Sequence, residues 1–145
     1  DILAAVCAEQ ARTVAAERSY NNEIGVPLTL CRVEQDTEIC ILELAMRGFG
    51  QIAELCAFSR PHIGVITNIA PVHLERVGTL EGVIRAKSEL IDALPPRGTA
   101  IVPAGFTVTR TDLDVVRIGE DVTLASFEPP SLRTSIGGSQ VNFSA

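Results

Sequence analysis

Lysine is almost missing from this chain: of twelve basic side chains in 145 residues, Lys87 alone is not arginine. Cysteines at metal or redox spacing are missing too, since Cys7, Cys31, Cys40 and Cys56 form no C-x-x-C pair. That excludes a zinc ribbon or a dithiol motif read from cysteine spacing. No apolar run approaches the length of a membrane span, and nothing at the start resembles a signal peptide. Positive charge is in deficit, with a formal charge of -6 and a pI near 4.9. This argues against a nucleic-acid footprint, which needs a basic face. Phosphate ligands stay open, because a metal ion can supply positive charge locally. No internal repeat or low-complexity stretch is present.

What is present suits one globular domain: 46% hydrophobic and 21% charged residues give a real core with ordinary surface charge. The four cysteines lie among apolar neighbours and read as buried thiols of a protein in the reducing cytoplasm. The first residue is Asp1, not Met, and "DILAAVCAEQ" reads as a helix already under way, with Ile2, Leu3 and Val6 on one side. The chain reads as cut from something longer.

Along the chain, "RTVAA" is a short strand candidate, and "SYNNEIGVPLTL" turns polar before becoming helical near Pro27, a residue at home in a helix's first turn. "EICILEL" (38–44) is a nearly continuous apolar run, the pattern of a strand covered on both faces. "QIAELCAFS" reads as helix and "HIGVITNI" (62–69) as a second buried strand. After "PVHLERV" comes "TLEGVIRAKSELIDAL", in which Leu80, Val83, Ile84, Leu90, Ile91 and Leu94 recur at helical spacing as one apolar stripe. "GTAIVP" (98–103) is a third strand. Strands alternating with helices predict an α/β fold, a mostly parallel sheet flanked by helices. From Ala104 onward "DVVRIG", "TLASFE", "LRTSI" and "SQVNFSA" read as short β segments, with a hairpin through Gly137 and Gly138. The expected organisation is an α/β core over 1–103 and a small, mostly antiparallel β extension over 104–145.

Lys87 falls in the middle of the helix's apolar stripe. Taken singly it fits a lysine whose stem packs while its ammonium reaches water. Glu43, at the end of "EICILEL", fits an ordinary charged strand end, and His73 beyond "IGVIT" fits a structural histidine. Taken together they fall where ligands bind in open parallel sheets, beyond the carboxyl ends of the strands. Burial lowers a lysine's pKa, and a neutral amine is a nucleophile. Such an amine can add carbon dioxide to become a carbamate, which Arg cannot do. The carbamate, Glu43 and His73 could then hold Mg2+, which prefers oxygen ligands and bridges to phosphates.

The ordered set "NNEIGVPLTL", "ILELAMRGFGQIAEL", "ITNIAPVHLERVGTLEGVIRAKSELI" and "GTAIVP" resembles the central domain of the Mur ligase family, over about residues 1–103, with the β tail similar to that family's sheet extension. Within the family the resemblance points to the branch that joins D-alanyl-D-alanine to UDP-N-acetylmuramoyl-tripeptide in peptidoglycan synthesis. It implies a P-loop NTPase-like fold and an ATP-dependent reaction in which a carboxylate becomes an acyl phosphate and an amine displaces phosphate to form an amide. It implies Glu43 and His73 as Mg2+ ligands, Lys87 as the carbamylated lysine, Asn21 and Asn22 in the loop that contacts the UDP-muramoyl substrate, and Asn68 at the site rim. The phosphate loop G-x-x-x-x-G-K-[ST] does not occur in these residues, and the resemblance places it just ahead of Asp1. Without it, and without the flanking domains, the chain alone is expected to be inactive. Two other readings compete: a ligase like folylpolyglutamate synthase, against which "NNEIGVPLTL" argues, and a non-catalytic α/β scaffold.

Overall fold

The computed structural model describes residues 2–70, 77–128, 131–136 and 139–144, and over the last three strands it describes backbone pairing alone. Helix α1 (Ile2–Ala8) is followed by β1 (Thr13–Ala15), α2 (Gly25–Leu30), β2 (Ile39–Ile41), α3 (Gln51–Ser59), β3 (Ile63–Val65), α4 (Leu80–Asp92) and β4 (Thr99–Pro103). Then come β5 (Asp114–Ile118), β6 (Val122–Glu128), β7 (Ser131–Ile136) and β8 (Ser139–Ser144). The α/β class and the alternation are those the sequence pattern predicts.

The strands form two sheets rather than one. β1 pairs with β2 in parallel, Thr13 opposite Ile39, while β3, β4 and β5 form a second parallel array. β2 and β3 follow one another in sequence, but consecutive strands need not be neighbours, and among the described residues these two do not pair. β5 also departs from expectation. The sequence pattern groups it with the antiparallel tail, yet it runs parallel to β4 from Thr99 opposite Asp114 to Pro103 opposite Ile118. The change to antiparallel pairing therefore comes after Ile118, where Gly119 at φ 96 turns the chain and Asp121 accepts the Arg117 N–H at 2.8 Å. A single pair in the parallel sense, Ile118 with Val122, links β5 to β6, and β6, β7 and β8 continue as an antiparallel meander. Gly137 and Gly138, the expected hairpin turn, lie outside the described residues, although Ile136 and Ser139 pair on either side of them.

Helix α4 organises the core. Thr79 caps it by accepting the Gly82 N–H at 3.2 Å. Gly82 is required there, because a Cβ would sit 2.9 Å from the Val77 carbonyl carbon and overlap its oxygen. One flank of the helix, Val83 and Ala86, packs with Met46, Ile52, Cys56 and Val77. The other, Ile91 with the following Leu94, packs with Ile66, Ala100, Val102 and Phe106, and Leu90 touches both clusters. Val83 and Val102 are fully buried, each contributing about 1.5–3 kcal/mol by leaving water. Beyond the helix, Arg110 donates to the carbonyls of Ile91, Asp92 and Leu94 and pairs with Asp112, fixing the helix's carboxyl end.

Two expectations about burial fail. β3 is covered on one face only: Gly64 lies close under Leu90 of α4 and the following Leu94, whereas Ile63 is 60% and Val65 40% exposed. Among the described residues α4 covers the Gly64 side, while Ile63 and Val65 on the other side stay exposed, so the apolar run was legible but its second cover was not. Similarly, only Cys56 is a buried thiol; Cys7 is half-buried, and Cys31 and Cys40 are exposed. Cys31 ends the short helix α2 at a surface turn, and Cys40 is on the open side of β2. Ile2, Leu3 and Val6 of α1 are likewise exposed.

Candidate functional site

The carboxyl ends of β2 and β3 carry the residues that the sequence singled out. Glu43 stands two residues beyond β2, exposed, on the loop from Leu42 to Gly50 that leads into α3. Asn21 donates from its side-chain Nδ2 to Glu43 Oε1 at 2.7 Å, and its carbonyl accepts the Ala45 N–H at 2.8 Å. Asn21 thus braces the loop at Glu43 and at Ala45 and orients the carboxylate, leaving Oε2 without a hydrogen-bond partner among the described residues. The loop that presents Asn21 is itself held by Asn22, whose Oδ1 accepts the N–H groups of Ile24 at 3.1 Å and Gly25 at 2.9 Å, starting α2. Gly25 is needed at this point because a Cβ would come within 2.6 Å of the Tyr20 backbone. Of the two expected substrate contacts, then, Asn21 faces Glu43 and Asn22 has its side-chain oxygen engaged in helix capping.

Lys87 is half-buried on the sheet-facing side of α4, and its Nζ donates to the Asn68 carbonyl at 2.7 Å. Burial pushes the Lys87 amine below the ordinary lysine range. The sequence's puzzle has a physical resolution here: the one lysine of the chain lies in the apolar stripe, with its ammonium partly desolvated and turned to a main-chain oxygen of the loop after β3. Asn68 serves through its carbonyl, and its side chain is exposed. Leu44, next to Glu43, packs against the cluster that contains Ala86, next to Lys87, so the Glu43 loop and the helix meet on a shared apolar base. His73 lies outside the described residues. No group of three or more His, Cys, Asp or Glu side chains gathers among the described residues.

A groove of about 850 Å³ between α3 and α4, lined by Cys56, Arg60, His62, Glu89 and Asp92 among others, opens elsewhere. It lies toward the amino ends of β3 and β4, away from Glu43 and Asn68. Burial, and then the Glu89 charge, push the Cys56 thiol in its wall up to about 11, which keeps it neutral and unreactive near neutral pH.

Sequence reasoning missed the helix α4 side chains that reach across to the Glu43 loop. Glu89 accepts the Gly50 N–H at 2.6 Å and the Ala53 N–H at 3.1 Å, and the Arg85 guanidinium stacks 5.0 Å from the Phe49 ring centroid. The signal was available at the other end of the contact. Gly50, at the N-cap of α3, has no side chain to satisfy the orphan N–H groups, so an acceptor had to come from elsewhere.

The family model described as Mur ligase middle domain matches residues 1–136. A UDP-N-acetylmuramoyl-tripeptide--D-alanyl-D-alanine ligase of Synechocystis sp. is 41% identical over 70% of this chain and 22% of its own length. The enzyme of the same name from Mycobacterium bovis is 38% identical over 85% of this chain and 25% of its own length. A crystal structure of MurF from Acinetobacter baumannii superposes with a TM-score of 0.86 at 27% identity, covering 99% of this chain and 34% of that one. The chain therefore spans about a quarter of the length of the curated relatives it matches. With the motif order, the parallel fold and the model match in agreement, the chain belongs to the Mur ligase middle-domain family.

Proposed function

We propose that this chain is the metal-bearing middle domain of a longer, cytoplasmic, ATP-dependent ligase that joins D-alanyl-D-alanine to UDP-N-acetylmuramoyl-tripeptide through an acyl phosphate. The observation that carries the reading is Lys87: a sole lysine, half-buried, with a lowered pKa, held against the loop after β3 and sharing an apolar base with the Glu43 loop. The names of the relatives supply the reaction and its two substrates.

The donor chemistry fits Mg2+. Glu43 offers a hard carboxylate with one oxygen fixed by Asn21 and the other open, and Lys87 as a carbamate would add two more oxygens while its remaining N–H keeps the Asn68 carbonyl as partner. Glu43, carbamylated Lys87 and His73 are the residues that would hold the ion, and when bound it supplies the positive charge that offsets phosphate oxygens in this acidic chain. The protein's own contribution is positioning. Asn21 aims Glu43, Asn22 fixes the loop bearing Asn21, and Asn68 holds the Lys87 nitrogen at the carboxyl ends of the strands.

The test is made on the full-length protein that contains this chain. ATP-dependent phosphate release should require both UDP-N-acetylmuramoyl-tripeptide and D-alanyl-D-alanine. Release with neither, or with folate and glutamate in their place, would refute the assignment.

A further inference from the structure

Glu43 and Lys87 sit on different elements, and nothing in either side chain fixes their spacing. Lys87 rides on α4. Glu43 rides on the 42–50 loop, whose near end is tied by Asn21 through Glu43 Oε1 and the Ala45 N–H. The far end of that loop is tied to α4 itself: Glu89 accepts from Gly50 and Ala53, and Arg85 covers Phe49. On an α-helix, positions 85 and 89 share a face and position 87 points nearly opposite. These turns of α4 therefore hold the loop after β3 through Lys87 and the far end of the Glu43 loop through Arg85 and Glu89, while Met46 in the middle of that loop packs against Val83 and Ala86.

We infer that Glu89, supported by Arg85, is a positioning residue that sets the distance between Glu43 and Lys87 by clamping the far end of the 42–50 loop to the helix that carries the lysine. Glu89 touches neither of them and acts through the Gly50 and Ala53 N–H groups. The inference rests on the reading of Glu43 and Lys87 as one centre.

Hydrogen exchange in the full-length protein tests the clamp without turnover. In Glu89→Ala, exchange of the segment Leu42–Phe49, where the Ala45 N–H is bonded to Asn21, should quicken by roughly tenfold, the size that loss of a helix cap produces, while the α4 segment Leu80–Ile91 keeps its wild-type rate. Glu89→Gln retains an acceptor and should move the same segment by a smaller factor, as should Arg85→Ala. If quickening is confined to the start of α3, Glu89 is a helix cap and nothing more, and the inference is overturned. Equal quickening everywhere in both Glu89→Ala and Glu89→Gln overturns it as well. In the same variants, the Mg2+ concentration giving half-maximal ATP-dependent phosphate release should rise severalfold with the KM for ATP unchanged; an unchanged Mg2+ requirement contradicts the inference. A wild-type protein without such release would refute the proposed function and leave the exchange result to decide the clamp.

Discussion

Gly82→Ala is the substitution in which two well-known effects oppose one another and the structure decides the sign. In a solvent-exposed helix, replacing Gly by Ala stabilises by about 1 kcal/mol. At this position the new Cβ overlaps the Val77 carbonyl oxygen and lies 2.9 Å from its carbon, and both are backbone atoms that cannot rotate aside. The first turn of α4 must move away, and two losses follow. Gly82 N–H leaves Thr79 Oγ1, which costs about 1 kcal/mol as a lost cap. Val83, fully buried next to it, is pushed from its seat, and overpacking of this kind costs about 1–3 kcal/mol. Subtracting the helix-propensity gain leaves a net destabilisation of about 2 kcal/mol, or a melting temperature lower by roughly 6–8 °C for a chain of this size. Thermal and urea unfolding of the chain measure it, with Glu9→Ala, at an exposed position far from α4, as a control expected near wild type. A Gly82→Ala protein as stable as wild type, or more so, would refute the packing described for the start of α4.

Three further predictions follow the same logic. Lys87→Met should leave the chain's stability unchanged or raised at neutral pH, because it removes a partly desolvated charge; the folded-state pKa is lowered, so the wild type's penalty is full at low pH and lifts as pH rises toward the ordinary lysine value, and the advantage of Lys87→Met should shrink over that window in paired melts. Asn21→Ala should free the Glu43 carboxylate while keeping the main-chain bond to the Ala45 N–H, raising the Mg2+ requirement of phosphate release severalfold in the full-length protein with little change in melting temperature, whereas an unchanged requirement would show that Glu43 does not depend on Asn21. Arg110→Ala should destabilise α4's carboxyl end, and part of the loss should be acid-sensitive: the hydrogen bond from Arg110 holds Asp112 below the usual carboxylate range, a contribution present above the unfolded value and lost as pH falls through the folded one, so wild type and variant should converge on acidification.

The parts of the fold that depend on local pattern were legible. The stripe from Leu80 to Leu94 describes α4 and its burial, apart from Leu80 at 42% exposure, and Lys87 stood out because periodicity put a charged residue where the helix packs. Pro27 in the first turn of α2 was equally local. What depended on distant partners was not. Nothing in "EICILEL" says which strand lies beside it, so the division into two sheets was invisible, and an apolar run does not reveal whether both faces find a cover, which is why β3 and Cys40 proved more exposed than expected. β5 was assigned to the tail because its short alternating pattern suits either pairing direction, and β4 decided it by register. At the site, residue types pointed to Glu43 and Lys87, but the hydrogen bonds that aim them, from Asn21 and to Asn68, join residues 22 and 19 positions apart. Glu89 is further still from its partner at 39 positions, and a Gly at the start of α3 was its only trace in the sequence.

The proposed metal site depends on the chemical state of Lys87. The direct measurement is a 13C NMR spectrum of the full-length protein equilibrated with 13C-labelled bicarbonate and Mg2+ at mildly alkaline pH, taken for wild type and for Lys87→Met. The account predicts a carbamate carbon resonance in the wild type that is lost in Lys87→Met and disappears on acidification, as protonation returns carbon dioxide and the amine. Identical spectra for the two proteins, with no labelled carbon retained by the wild type, would contradict it and leave Lys87 as a packed lysine whose ammonium does no more than hold the Asn68 carbonyl.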